Sequence, residues 1–306
     1  MNAQAYQPQP IKRVTTKPHH KFLNILIADD GSPDILAATE LLTALPLSNC
    51  SVTAISVLTP REGDSYAVRQ ACLEQTSSAF QKKGISITTR IEGGNPAEKI
   101  LELAKQMQPS LVVLGANGLR HIFGVPLGGV VEKVVEEIRQ PVLIMRQPFR
   151  GLKRIGLFTD GSSQAEYATQ YLAELPLPDD VEVHVVHVEP PLDFDTLVTQ
   201  SWQGQGVEAG ATITAKARSG EEILNKTLLI LQEHEINTKS ALLRGDPCDQ
   251  ISRYMEEQHI DLAVLGARGF TKGKSWELGS LPRKILHYCP CATLIVKDRR
   301  DWSSRN

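Results

Sequence analysis

The sequence predicts an α/β protein built as two tandem, doubly wound domains, each a five-stranded parallel sheet with helices on both faces. Two observations carry this. The chain repeats itself: "LNILIADDGSPDILAATELL" from Leu23 matches "KRIGLFTDGSSQAEYATQYL" from Lys153, and "EGGNPAEKILELAKQMQPSLVVLG" from Glu92 matches "LRGDPCDQISRYMEEQHIDLAVLG" from Leu243. Within each copy, short β-rich apolar runs alternate with amphipathic helical patterns, which is the signature of a sheet buried on both sides.

In the first copy the elements read in order as the strand "ILIA", a helix from Pro33 to about Leu45, the strand "SVTAISVL" and a helix through Ala71 to Lys83. The strand "ISITTRI", a helix from Pro96, the strand "SLVVLG", a helix from Gly129 and the strand "PVLIMR" complete it. Ser32-Pro33, Asn95-Pro96 and Asp246-Pro247 each place a capping side chain before a proline suited to the first helical position. The expected boundaries are a flexible tail over 1–20, domain 1 over 21–148, domain 2 over 152–298 and a tail over 299–306. The matching aspartates Asp30 and Asp160 are 130 positions apart, whereas the later matches are 151 apart, so the second copy carries 21 extra residues. Most of them fall near 193–220, expected as a polar surface loop leading into a longer helix, either mobile or lying over the second crevice. The last strands of the two copies, "PVLIMR" and "ATLIVK", are apolar edges that antiparallel pairing would satisfy, joining the copies as a pseudo-twofold pair.

Composition excludes several classes. A formal net charge of −2 gives no electrostatic reason to expect nucleic acid as a partner. No apolar run approaches the roughly 18 residues of a membrane span, and the first twenty residues lack the apolar segment of a signal peptide. Five cysteines without a second paired spacing favour a reducing compartment over a disulfide framework, and Cys289-Pro-Cys291 reads as a strand start rather than half a metal site. The expectation is a soluble, cytoplasmic protein with neither nucleic-acid nor membrane partners.

Ligands of such sheets bind beyond the carboxyl ends of the strands, at the switch in strand order. Asp30 and Asp160 follow the first strand of each copy, and a glycine-punctuated loop follows the fourth: "LGANGLRHIFGVPLGG" from Leu114 and "LGARGFTKGKSWELGS" from Leu265. Gly266 and Gly269 can adopt positive φ and let the backbone approach a phosphate closely, where a Cβ would intrude. Gly279 and Ser280 then open a helix whose first N–H groups lack internal partners and whose dipole favours an anion, with the Ser280 hydroxyl as donor and cap. The "GKS" at Gly273–Ser275 is not a Walker A loop, since Arg268 occupies the required first glycine. No catalytic constellation emerges: His187 has no nucleophile motif beside it and reads as structural, and His121 lies in the first loop.

The spacing Gly266-x2-Gly269-x9-Gly279-Ser280, the Asp-Gly-Ser after the first strand and the turns at Pro96 and Pro247 resemble the nucleotide-binding universal stress proteins, twice between Lys21 and Asp298. That resemblance implies strand order 3-2-1-4-5 in each domain and ATP binding without vigorous hydrolysis. It implies that Asp160 and Val188 frame base and ribose, while Gly266, Gly269, Gly279, Ser280 and Leu281 hold phosphates, with Arg268 as added charge. The counterpart residues Asp30, Val57, Gly115, Gly118, Gly128 and Gly129 form a possible second ATP site. ATP with Mg2+ is expected mainly in domain 2, because Ser280 stands where domain 1 has Gly129. The leading function is an ATP-binding regulator of a stress response. A nucleotide-free interaction scaffold and a slow ATP hydrolase are the alternatives. A homodimer and the protein partner stay open.

Overall fold

The computed structural model describes residues 22–60, 65–116, 127–189, 209–269 and 278–297, with backbone alone over 209–218. The first half runs β1 (Leu23–Ala28), α1 (Pro33–Ala44), β2 (Cys50–Leu58), α2 (Tyr66–Gln81), β3 (Ile87–Gly93), α3 (Pro96–Met107), β4 (Leu111–Gly115), α4 (Gly129–Glu137) and β5 (Val142–Met145). The second runs β6 (Arg154–Phe158), α5 (Ser163–Glu174), β7 (Glu182–Glu189), α6 (Ala209–Glu233), β8 (Asn237–Arg244), α7 (Pro247–Glu257), β9 (Leu262–Gly266), α8 (Ser280–Tyr288) and β10 (Ala292–Val296).

The ten strands form one sheet in the order β3-β2-β1-β4-β5-β10-β9-β6-β7-β8. Every pairing is parallel except that of β5 with β10, where Leu143 faces Leu294 in antiparallel register. Each half therefore has the order 3-2-1-4-5, with Asp30 and Asp160 at the ends of its central first strand. Alternation along the strands divides the core. Ile25, Ile27, Ile155 and Leu157 pack beneath α1, α2, α5 and α6, whereas Leu26, Ile55, Phe158 and Leu265 pack beneath α3, α4, α7 and α8. Burying each such apolar side chain contributes about 1.5–3 kcal/mol, and because β5 and β10 are buried along their length, both layers run unbroken across the junction. No helix among the described residues is long and apolar enough to cross a membrane.

The junction carries a second layer of contacts with the same symmetry. Arg146, just after β5, donates Nη2 to the carbonyl of Leu286 near the end of α8 at 2.6 Å. Lys297, just after β10, donates Nζ to the carbonyls of Val135 at 2.6 Å, Ile138 at 2.9 Å and Glu136 at 3.3 Å at the end of α4. Helix C-termini leave carbonyls unpaired and carry partial negative charge, so each half caps the other's last helix with a cation. Arg283 of α8 pairs with Glu136 of α4 at 2.9 Å, and His287 with Glu132 at 3.7 Å.

Two sequence expectations are sharpened by the structure. The 193–220 stretch does lead into a longer helix, α6, which covers it from Ala209 on. Gly220 is buried in that helix, where a Cβ would lie 2.6 Å from Glu189 Oε1 and 3.2 Å from His187 Cδ2; residues 193–208, and with them the proposed lid, lie outside the described residues. The capping prolines also divide. Asn95 accepts from Ala97 N at 3.0 Å and Asp246 from Cys248 N at 2.9 Å, but Ser32 makes no side-chain cap bond. Its hydroxyl is instead turned toward Gly115, and is buried without a hydrogen-bond partner among the described residues.

Candidate functional site

The two halves build the same scaffold at the carboxyl ends of their first and fourth strands. After β1 and β6 the chain reverses through a glycine with positive φ, Gly31 at +74° and Gly161 at +82°. The preceding aspartate fixes the turn: Asp30 Oδ1 accepts from Ser32 N, and Asp160 Oδ1 from Ser162 N, each at 3.0 Å. The short polar side chain does for the turn what a backbone carbonyl would do.

The fourth-strand loops are clipped shut at their bases. Gly279 N donates to Ala267 O at 2.9 Å and Gly128 N to Ala116 O at 2.8 Å, so each helix starts beside the end of its strand. Arg283 N to Gly279 O, and Glu132 N to Gly128 O, are the first intrahelical bonds. The amides of Ser280 and Leu281 in α8, and of Gly129, Val130 and Val131 in α4, accordingly have no intrahelical acceptor. Pro282 supplies no N–H in α8.

The glycines are required here for close approach rather than for backbone freedom, since neither Gly266 nor Gly269 uses positive φ. Gly266 ends β9 against the start of α5, where a Cβ would sit 2.7 Å from the backbone carbon of Gln164. A Cβ at Gly269 would collide with the Asp160 carboxylate, so the two loops touch. Ser162 Oγ reaches Arg268 O at 3.4 Å, a second tie between them. Asp160, Gly266, Arg268, Gly269, Gly279, Ser280 and Leu281 are thus gathered at one end of the sheet, with half-buried Val188 at the end of the adjoining strand β7. Ser280 is the first helical residue and Gly279 the N-cap, with no side-chain cap bond, so the reading of Ser280 as the cap is corrected.

In the first half Asp30, Gly115, Gly128 and Gly129 occupy matching places, while Val57 is in the core and Gly118 lies outside the described residues. Several substitutions distinguish this half. Gly129 replaces Ser280; Glu132 puts a carboxylate in the first turn of α4, where α8 has none; and Arg69 of α2 donates Nη1 to the Asp30 carbonyl at 3.1 Å. At the position of Arg69, the second half has Gly220. Asp29, which the sequence reading passed over, is buried beneath the turn, accepting from Thr76 Oγ1 at 2.7 Å and Gly31 N at 2.9 Å. Burial pushes its carboxyl above the usual range. Its counterpart is Thr159, whose carbonyl accepts from His187 Nδ1 at 2.8 Å, and that bond gives His187 a structural place. Glu189 is held by Arg244 Nε at 3.0 Å. Among the described residues no group of three or more His, Cys, Asp or Glu could hold a metal ion.

The sheet order and the doubled architecture define a tandem protein of two doubly wound α/β domains, and the comparisons agree. The profile of the universal stress protein family matches residues 21–146 and again 151–297, so the chain belongs to that family. A universal stress protein of Methanocaldococcus jannaschii is 26% identical over 47% of this chain and 82% of its own length. One from Synechocystis is 25% identical over 58% of this chain and 54% of its own. Among solved structures, a universal stress protein from Archaeoglobus fulgidus shares the fold over 90% of this chain and 98% of that chain, with a TM-score of 0.64 at 18% identity.

Proposed function

We propose that this chain is an ATP-binding regulatory protein of a stress response, with nucleotide held mainly by the second half. The observation that carries this reading is the N-terminus of α8, tied by Gly279 to the end of β9 and facing a loop whose Gly269 abuts the Asp160 carboxylate. The amides of Ser280 and Leu281, the Ser280 hydroxyl and the helix dipole form an anion site on a rigid base. In this reading Asp160 and Val188 receive the ribose and base, and Gly266, Arg268, Gly269 and Gly279 border the phosphates. Mg2+ travels with ATP, bound chiefly through phosphate oxygens and water. Nucleotide occupancy would then set conformation or assembly.

The first half favours a structural, nucleotide-poor role. Glu132 opposes an anion at the start of α4, and Arg69 engages the Asp30 carbonyl. Measuring nucleotide released on denaturing protein purified without added ligand, together with equilibrium titration by Mg-ATP, tests the proposal. One tight site per chain is expected; failure to bind Mg-ATP at millimolar concentration would overturn it.

A further inference from the structure

Cys289 and Cys291 bracket Pro290 where α8 gives way to β10. Their Sγ atoms are 3.2 Å apart, and Cys289 Sγ is 3.5 Å from Met255 Sδ on α7. Cys289 is buried and Cys291 partly exposed. A disulfide has its sulfurs about 2.05 Å apart, so closure requires only about 1 Å of approach between side chains that already point at one another. The matching place in the first half has Ile138 and Gln140, which makes the thiol pair a property of the second half alone.

We propose that Cys289 and Cys291 are a reversible oxidation site, a dithiol that hydrogen peroxide converts to an intramolecular disulfide at the junction of the two halves. Arg146, reaching across from the first half to Leu286 O, brings its guanidinium beside this pair. The hydrogen bond from Cys291 lowers the Cys289 thiol below its ordinary range, with Arg146 acting in the same direction, while that same contact raises Cys291. The pair therefore gives up one proton readily and retains the other. Its thiolate attacks one peroxide oxygen, breaking the O–O bond to give a sulfenic acid and hydroxide, and the hydroxide takes up the released proton as water. The remaining thiol then attacks the sulfenic sulfur, forming the S–S bond and expelling a second water. Two sulfurs are each oxidised by one electron and one peroxide is reduced to two waters. An external thiol reverses the step by exchange.

The test is peroxide treatment of the full chain, followed by alkylation under denaturing conditions, intact mass and peptide mapping. Alkylatable thiols should fall from the five of the sequence to three, with the link mapped to Cys289 and Cys291 and restored by dithiothreitol. A Cys50→Ser, Cys72→Ser, Cys248→Ser triple variant should form the same link, and Cys291→Ser should stop at a sulfenic acid on Cys289 that a dimedone probe traps. Should the triple variant keep both remaining thiols alkylatable, or should peroxide consume Cys50, Cys72 or Cys248 before the pair, the proposal is overturned. Linkage only between chains would also overturn it.

Discussion

Lys297 Nζ donates to the backbone carbonyl of Val135 at 2.6 Å, fastening the end of the second half onto the last helix of the first. Arg146 makes the reciprocal contact with Leu286 at the same distance, so the antiparallel pairing of β5 and β10 is reinforced twice by the same device. Lys297 is almost fully buried, and desolvation lowers its ammonium pKa from 10.5 to about 8, with Arg268 adding to the shift and Glu136 opposing it.

That shift gives stability a pH dependence of definite sign. Between about pH 8 and 10.5 the unfolded chain holds this proton and the folded chain does not, so unfolding takes up a proton and stability rises with pH. The rise is about 3 kcal/mol at most. Urea unfolding of wild type and Lys297→Met across this window should show wild type gaining on the variant as pH increases. Parallel curves would contradict the buried cation.

The site glycines should rank by what surrounds them. Gly266→Ala forces a Cβ to 2.7 Å from the Gln164 backbone, which cannot yield, and is expected to cost about 3 kcal/mol. Gly115→Ala meets Ser32 Oγ at 2.9 Å, which can rotate away, and Asp34 Cβ at 3.0 Å, which gives only by a small shift of α1, and should cost about 1–2 kcal/mol. Gly129→Ala meets nothing within 4 Å and should stay within about 0.5 kcal/mol of wild type. Thermal and denaturant unfolding of the three variants checks the order.

Gly220→Ala tests the packing of α6. Its Cβ would press on the side-chain ends Glu189 Oε1 at 2.6 Å and Leu242 Cδ1 at 2.9 Å, a repacking cost of about 1–3 kcal/mol offset by about 1 kcal/mol of helix propensity, so a net loss of about 1 kcal/mol is expected. A surface loop at this position would show no change on denaturant unfolding.

Much of the fold was legible because its signals are local or repeated. The short β-rich apolar runs and the helical patterns between them gave the elements, and the 151-residue echo of the glycine loops gave the doubling. Less visible were features that depend on which atoms meet. Gly266 reads as a flexible loop residue, yet it is a strand end pressed against a helix; Ser32 reads as a cap, yet its hydroxyl turns inward to Gly115. Arg146 and Lys297 look like ordinary basic residues after a strand, and only the pairing of β5 with β10 brings them onto the opposite helix ends. How far α6 reaches back into the inserted stretch was less legible, because its glycines disfavour a helix unless tertiary packing uses their small size, as it does at Gly220.

Calorimetric titration of Mg-ATP into wild type, Ser280→Ala and Gly129→Ser decides whether the proposed asymmetry between the halves holds. A hydrogen bond to a charged group contributes about 1.5–3 kcal/mol, or on the order of ten- to a hundredfold in affinity. Wild type should show one tight site, Ser280→Ala should weaken that site by about this factor, and Gly129→Ser should leave it unchanged while strengthening any weaker binding. Two equal sites in wild type, or a tight site indifferent to Ser280→Ala, would contradict the account.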